Sequence, residues 1–194
     1  MVRVRGVASV RRGAIKPVVI VALVLVVVVG AVVVKGMVGA VSAFAAEERG
    51  RDEISAVAQS LSQEGALTER LGAEAVPGGG LAIADWQTGD IKYVFESKIP
   101  VDLRATGEAD LGVLLLVERE KVKVGSYVDG ATGETTGDAY RWVWDARLID
   151  VAARAVVARR EFVGKDPPQT TSLDWNWGAE PAEEAIAWAV EKMR

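Results

Sequence analysis

The sequence contains no cysteine and no histidine among its 194 residues. Without cysteine, disulfide bridges, thiolate catalysis and the usual sulfur-ligated zinc sites are excluded. Without histidine, the Ser-His-Asp and Cys-His arrangements, the His-ligated metals and the commonest general base are excluded as well. This inventory is poor for catalysis, so the sequence disfavours an enzyme and predicts no cofactor.

Charge is absent from one long stretch near the amino terminus. Residues 17–34 are eighteen residues without a charged or strongly polar side chain. At about 1.5 Å rise per residue, a helix of this length spans roughly 27 Å, which is close to the hydrocarbon thickness of a bilayer. The sequence therefore predicts a transmembrane anchor over 17–41.

Acidic residues are missing from the first 46 positions, which hold six basic residues, whereas the rest of the chain holds 17 basic and 27 acidic residues. Five of the basic residues precede the apolar run, namely Arg3, Arg5, Arg11, Arg12 and Lys16. Under the positive-inside rule, the arm 1–16 lies in the cytoplasm and the acidic remainder lies outside the cytoplasm. An acidic domain is repelled by phosphate backbones, which excludes nucleic acid as a partner and leaves the membrane and another envelope protein.

A cleaved export signal is the alternative to an uncleaved anchor. Ala43-Phe44-Ala45 has the small-x-small form that signal peptidases prefer, and Arg11-Arg12 resembles a twin-arginine signal. The apolar stretch exceeds the usual signal length of about 7–15 residues, which favours the anchor. Cleavage near Ala45 would release the acidic domain from the membrane.

The spacing of apolar residues over 47–76 predicts a helical stem. Ile54, Val57 and Leu61 fall on one helical face, and Gly65 marks a break or kink. The stripe indicates packing on the following sheet rather than a partner helix, because no heptad pattern is sustained. The run Pro77-Gly78-Gly79-Gly80 then predicts a flexible joint.

Residues 81–194 predict one extracytoplasmic α+β domain. Alternating or continuous apolar patterns predict strands at 81–86, 91–95, 111–117, 122–128, 140–149 and 155–163, and Pro181 opens a helix that runs to 194. Short connections favour an antiparallel β-meander of five to six strands, with the amino-terminal stem helix and the carboxy-terminal helix on one face. On the strand 140–149, Tyr140, Trp142 and Trp144 share the face that we expect to be buried.

The polar loop 129–138 carries three candidate metal ligands, Asp129, Glu134 and Asp138. Their oxygens suit calcium, but Ala131 and Gly133 stand where an EF-hand loop requires acidic side chains. A solvated hairpin loop is the alternative interpretation of this segment.

The loop 165–178 carries Trp175 and Trp177, whose flat rings are candidates for stacking on a sugar. Loop tryptophans also fold back to cover the edge of a sheet, so both interpretations stay open. We therefore expect a single-pass membrane protein that presents a protein-binding or envelope-assembly module. The alternative is a domain that binds a glycan or small molecule through this loop.

Overall fold

The computed structural model describes residues 17–63, 65–72, 78–91, 93–169 and 176–194, with only the backbone described for 17–34, 38, 93 and 94. The chain divides into two compact units, Met1–Ala45 and Ala46–Arg194. The second unit is an α+β fold, as the sequence predicts.

The described elements follow one another along the chain as three helices and five strands, with two short 3₁₀ turns between β2 and β3. They are α1 (Pro17–Ser62), β1 (Thr68–Glu69), β2 (Gly80–Asp85), α2 (Tyr93–Glu96), the turns Val101–Leu103 and Glu108–Asp110, β3 (Leu111–Val128), β4 (Thr135–Asp150), β5 (Ala155–Val163) and α3 (Ala182–Lys192).

The strands form one five-stranded sheet in the order β1-β5-β4-β3-β2. The central strands β3, β4 and β5 are antiparallel, but β2 pairs in parallel with β3, and β1 pairs in parallel with β5. The prediction of a purely antiparallel meander of five to six strands is therefore wrong, because the sheet is mixed. The two outer pairings join strands that are distant in sequence, and local alternation carries no information on their direction.

The connection from β2 to β3 explains the parallel pair. In the segment 91–95, which the sequence predicts as a hairpin strand, Ile91 forms an isolated bridge to Ala84, and helix α2 begins at Tyr93. The chain therefore does not return beside β2 as a strand. It crosses through α2 and the two turns and enters β3 in the same direction as β2, as parallel strands require.

The predicted strands 111–117 and 122–128 are one strand of 18 residues, β3. Glu118 to Lys121 continue the pairing with β4, and the register shifts between Lys123 and Gly125 and again between Tyr127 and Val128. The first half of β3 is buried and the second half is exposed.

One core lies between the sheet and α3. Trp144, Ala146 and Leu148 of β4 are fully buried there, which confirms the predicted burial of Trp144, whereas Tyr140 and Trp142 are half-buried. Phe95 contacts the Trp144 ring edge-on at 5.1 Å. The side chains that α3 contributes recur at helical spacing and are Ala182, Ala185, Ile186, Trp188, Ala189 and Val190.

A second core lies on the opposite face of the sheet. Ile54, Ala58 and Leu61 of α1 pack there against Leu114 and Leu116 of β3. The predicted stripe of α1 thus packs on the sheet, as expected. The prediction that both helices cover one face is wrong, because the continuous apolar run of β3 exposes apolar side chains on two faces and each face requires cover.

Helix α1 ends at Ser62, short of the predicted boundary at 76. Gly65 adopts a left-handed φ of 77°, a conformation that glycine adopts readily and that stops a helix. Thr68 and Glu69 then form β1 beside β5 instead of further helix. Residues 73–76 lie outside the described residues.

Most of the predicted anchor 17–41 falls on residues whose side chains lie outside the description. Among the described residues, no helix is both long enough and apolar enough to cross a membrane. The anchor over 17–41 stays a prediction from the sequence.

We predict that Gly50→Ala destabilises the α+β unit. A Cβ at Gly50 would lie 1.9 Å from the Thr106 carbonyl oxygen, so backbone must move. We expect a loss of about 1–3 kcal/mol in the free energy of unfolding, measured by urea titration with tryptophan fluorescence. Gly39→Ala is the matched helical control, since its Cβ meets nothing within 4 Å. Equal midpoints for the two variants would contradict the close packing of α1 on Thr106.

Candidate functional site

One candidate site is a cavity of about 610 Å³ that lies beside the start of α3. We call it the Arg119 cavity. Ile91 and Phe95 supply apolar wall, and the charged residues Lys98, Arg119, Lys165 and Glu180 supply the polar wall. A cavity of this size, with apolar surface and a few convergent polar groups, matches the usual anatomy of a ligand site.

Arg119 is held in place by two carboxylates. Its Nε and Nη2 atoms both donate to Asp85 Oδ2 at 3.2 Å, and its Nη1 lies 3.6 Å from Glu180 Oε2. The other oxygen of Asp85 accepts the backbone N–H groups of Gln87 and Thr88. Asp85, which is 8% exposed, thereby joins the turn after β2 to β3 and aims the guanidinium at the cavity wall.

At the rim, Lys98 forms an ion pair with Glu183 of α3. Charges of both signs therefore surround the apolar surface. This arrangement suits recognition of a small molecule that carries polar groups on an apolar body.

Next to the cavity, Lys121 lies between two tryptophan rings. Its Nζ is 4.8 Å from the Trp142 ring centre and 4.0 Å from that of Trp177, so the ammonium group interacts with both π faces. The short segment around Trp177 is fixed to β4, because Tyr140 donates to the Asn176 carbonyl and Gly178 donates back to the Tyr140 carbonyl. Trp177 is half-buried at this position.

Of the two tryptophans predicted as a sugar platform, Trp177 thus lies against the sheet, beside Lys121. Trp175 lies outside the described residues. The platform stays a prediction. The topology residues Arg3, Arg5, Arg11, Arg12 and Lys16 also lie outside the described residues.

The three predicted metal ligands lie in or beside the hairpin loop between β3 and β4. Asp129 accepts the backbone N–H groups of Thr132 and Ala131, and these bonds lower the pKa of its carboxyl group. A hydrogen bond from Lys123 likewise lowers the pKa of Asp138. In the described part of the chain, no three acidic side chains gather to hold a metal ion, so Asp129, Glu134 and Asp138 are not brought together.

A polar network lies on the α1 side of the sheet, centred on Asp145. Arg159 donates to both oxygens of its carboxylate, at 2.8 and 2.6 Å, and Arg147 donates at 3.1 Å. Burial raises the pKa of Asp145, but these hydrogen bonds and charges outweigh it and hold the pKa below its ordinary value of 3.8. Arg147 also lies 4.0 Å from the Trp86 ring centre, so the network covers that side of the core.

Sequence reasoning missed Arg119 and Asp85. The available signal is the period of β3, because Arg119 follows Val113, Leu115 and Val117 at steps of two and therefore shares their face. When 111–117 and 122–128 are predicted as two separate strands, Arg119 falls between them and its position on this face is lost. The pairing of Arg119 with Asp85 carried no local signal, since 34 positions separate the two residues.

We predict that Asp145→Asn lowers the free energy of unfolding by about 1 kcal/mol near neutral pH, a small figure because Arg159 is half exposed. The folded pKa of Asp145 lies below the unfolded value, so its contribution is present above the unfolded pKa and is lost as pH falls through the folded pKa. Urea titrations from pH 7 to 2 should show the two proteins converging below about pH 4.

Asp102→Asn is the control, because Asp102 is exposed and makes no ion pair in the part of the chain that the structure describes. A difference between Asp145→Asn and the parent that stays constant down to pH 2 would contradict the assigned role of the ionised carboxylate.

No family model matches the chain, and neither the curated proteins nor the solved structures contain a significant match.

Proposed function

We propose that this chain is a single-pass membrane protein that presents its acidic α+β unit outside the cytoplasm as a protein-binding or envelope-assembly module. The apolar run 17–34 and the basic arm before it support the anchor and its orientation. The observation that carries the binding role is the free edge of β3.

Strand β2 ends at Asp85, which pairs with Val117, whereas β3 continues to Val128. Beyond Val117, β3 has β4 as its one neighbouring strand among the described residues. Val124 and Val128 on this outer half are 41% and 59% exposed. An edge of this kind presents backbone N–H and C=O groups to which an extended segment of another protein adds as a further strand.

Charged side chains on an edge strand often prevent such pairing. On β3 the basic side chains instead contact residues of their own chain. Arg119 pairs with Asp85, Lys121 contacts the tryptophan rings and Lys123 pairs with Asp138. These contacts leave the edge itself open to a partner strand.

These three basic side chains favour a different protein, rather than a second copy of this chain, as the partner at the β3 edge. They recur at steps of two and so share one face of β3. In an antiparallel pair of two copies, like charges would then lie opposite one another across the new interface, which is destabilising. A partner strand with acidic side chains on that face fits better.

The absence of cysteine allows a test with a single introduced thiol. We expect Val124→Cys to react with a membrane-impermeant maleimide in intact spheroplasts. With a thiol-directed cross-linker in cells, we expect a discrete larger adduct. Ala187→Cys, on the exposed side of α3, is the control and should be labelled by the maleimide without giving that adduct.

Labelling of Val124→Cys only after lysis would contradict the outward orientation. Adducts of equal size and yield from both positions would contradict binding at the β3 edge. An adduct that also forms with the purified protein alone would identify a second copy rather than another protein.

The second candidate function is binding of a glycan or small molecule, and the Arg119 cavity favours it. Lys165, at the start of the predicted ligand loop 165–178, and Glu180, two residues beyond its end, both line that cavity. A matching ligand at about a hundredfold excess over its Kd should raise the unfolding temperature by about 5–10 °C.

The charge reversal Lys165→Glu should reduce that response, whereas Lys192→Glu at the far end of α3 should preserve it. If soluble glycans and small polar molecules leave the unfolding temperature unchanged throughout a screen, this candidate is rejected.

A further inference from the structure

A second cavity, of about 430 Å³, lies between α1 and the segment that follows α2. Its apolar wall includes Ile54, Val101 and Ala105, and its polar wall includes Arg51 and Arg104. Val101 is 83% exposed, so an apolar side chain stands open to solvent beside the cavity. We call this the Arg104 cavity. It shares no lining residue with the β3 edge or the Arg119 cavity.

The backbone around Arg104 is fixed to the sheet. Arg104 forms a parallel bridge with Leu81 of β2, and the N–H of Ala105 donates to the Leu81 carbonyl at 3.0 Å. The side chain is also held, because its Nη2 donates to the Ile99 carbonyl at 3.0 Å. The guanidinium is therefore placed at the cavity wall before any ligand arrives, which reduces the entropy lost on binding.

The described chain contains five half-buried arginines, and four of them have a carboxylate within 4.0 Å; these are Arg51, Arg119, Arg141 and Arg147. Arg104 is the fifth, and no carboxylate in the described part of the chain lies within that distance. Its Nε is also buried without a hydrogen-bond partner among the described residues. A charge withdrawn from water is costly unless an opposite charge pairs with it, so Arg104 has the most to gain from an anion.

The two glutamates of the cavity do not supply that anion. Glu47 and Glu96 both bind Arg51, the second at 3.1 Å. Their negative charges nevertheless lie at the same cavity and oppose a dianion such as a phosphate monoester. A single carboxylate adds less repulsion and still matches the planar guanidinium with two parallel hydrogen bonds.

We propose that the Arg104 cavity binds a monocarboxylate on a short apolar chain. The carboxylate pairs with Arg104, and the chain lies along Ile54, Ala105 and Val101. The volume suits a small ligand rather than a folded partner. The proposal is independent of the binding role proposed for the β3 edge, since no residue of β3 lines this cavity.

The test uses the full chain in zwitterionic nanodiscs, titrated with octanoate by calorimetry against empty nanodiscs. Octylammonium, octanol and acetate are the matched probes, because each lacks either the negative charge or the apolar chain. We expect saturable binding of octanoate and weak or absent binding of the other three. We expect Arg104→Gln to weaken octanoate binding by about tenfold or more.

Arg70→Gln is the matched control, since it removes the same charge from an exposed position and should leave octanoate binding unchanged. Val101→Glu is the second variant, and its exposure allows the unit to fold if Arg104→Gln does not. A carboxylate beside the cavity should repel octanoate and weaken binding.

Equal binding of octanoate and octylammonium would indicate partition into apolar surface and overturn the proposal. Octanoate binding that survives in a folded Arg104→Gln, or in Val101→Glu where Arg104→Gln does not fold, would overturn it as well. Failure of the thiol cross-linking at Val124 leaves this result unaffected, so the two proposals fail separately.

Discussion

Burial of both faces of β3 is the constraint on which the rest of the α+β unit depends. Leu114 and Leu116 point to one face and Leu115 and Val117 to the other, and all four are at most 2% exposed. Each fully buried side chain of this size contributes about 1.5–3 kcal/mol, provided that something covers it. One helix covers one face only. The carboxy-terminal part of α1 and the whole of α3 therefore lie on opposite sides of the sheet.

Both faces of β3 are buried only as far as Val117, and the functional features lie where this buried part of the strand ends. The neighbouring strand β2 stops there, and β3 continues without it. Arg119 is the next residue on the α3 face, and it meets the carboxylate that terminates β2. The Arg119 cavity and the free edge thus have a common origin, which is the difference in length between β2 and β3. The Arg104 cavity lies at the opposite end of β2, where Leu81 bridges to Arg104.

The local pattern of apolar and polar residues predicts individual elements well where one face is exposed to solvent and the other is buried. Strand β5 occupies the predicted range, and α3 follows Pro181 with acidic residues in its first turn and Lys192 in its last. The inner face of β4 was also predictable, since Trp144, Ala146 and Leu148 alternate with charged residues. The segment 91–95 shows the limit of the method. Its alternation is too short to distinguish a strand from the helical turn that it forms.

The residues of the candidate site were less predictable than the fold, because their charged side chains pair with residues that are distant in sequence. Asp129 has its partners within three residues, so its role as a loop cap is local and agrees with the hairpin interpretation of that segment. Arg119 and Arg104 have roles that depend on distant neighbours. For Arg104 the decisive fact is that no carboxylate of the described residues lies within ion-pair distance of it, and no sequence pattern predicts that spacing between distant segments.

The sequence by itself determined the composition limits, the apolar amino-terminal run, the charge asymmetry and the faces of the long elements. These properties follow from side-chain type and from spacing along a single strand or helix. Only the tertiary structure decided the parallel direction of the outer strands, the opposite placement of the two helices and the residues that line the cavities. Those features arise where distant segments meet, and contact between distant segments is set by the collective burial of apolar surface rather than by any local period.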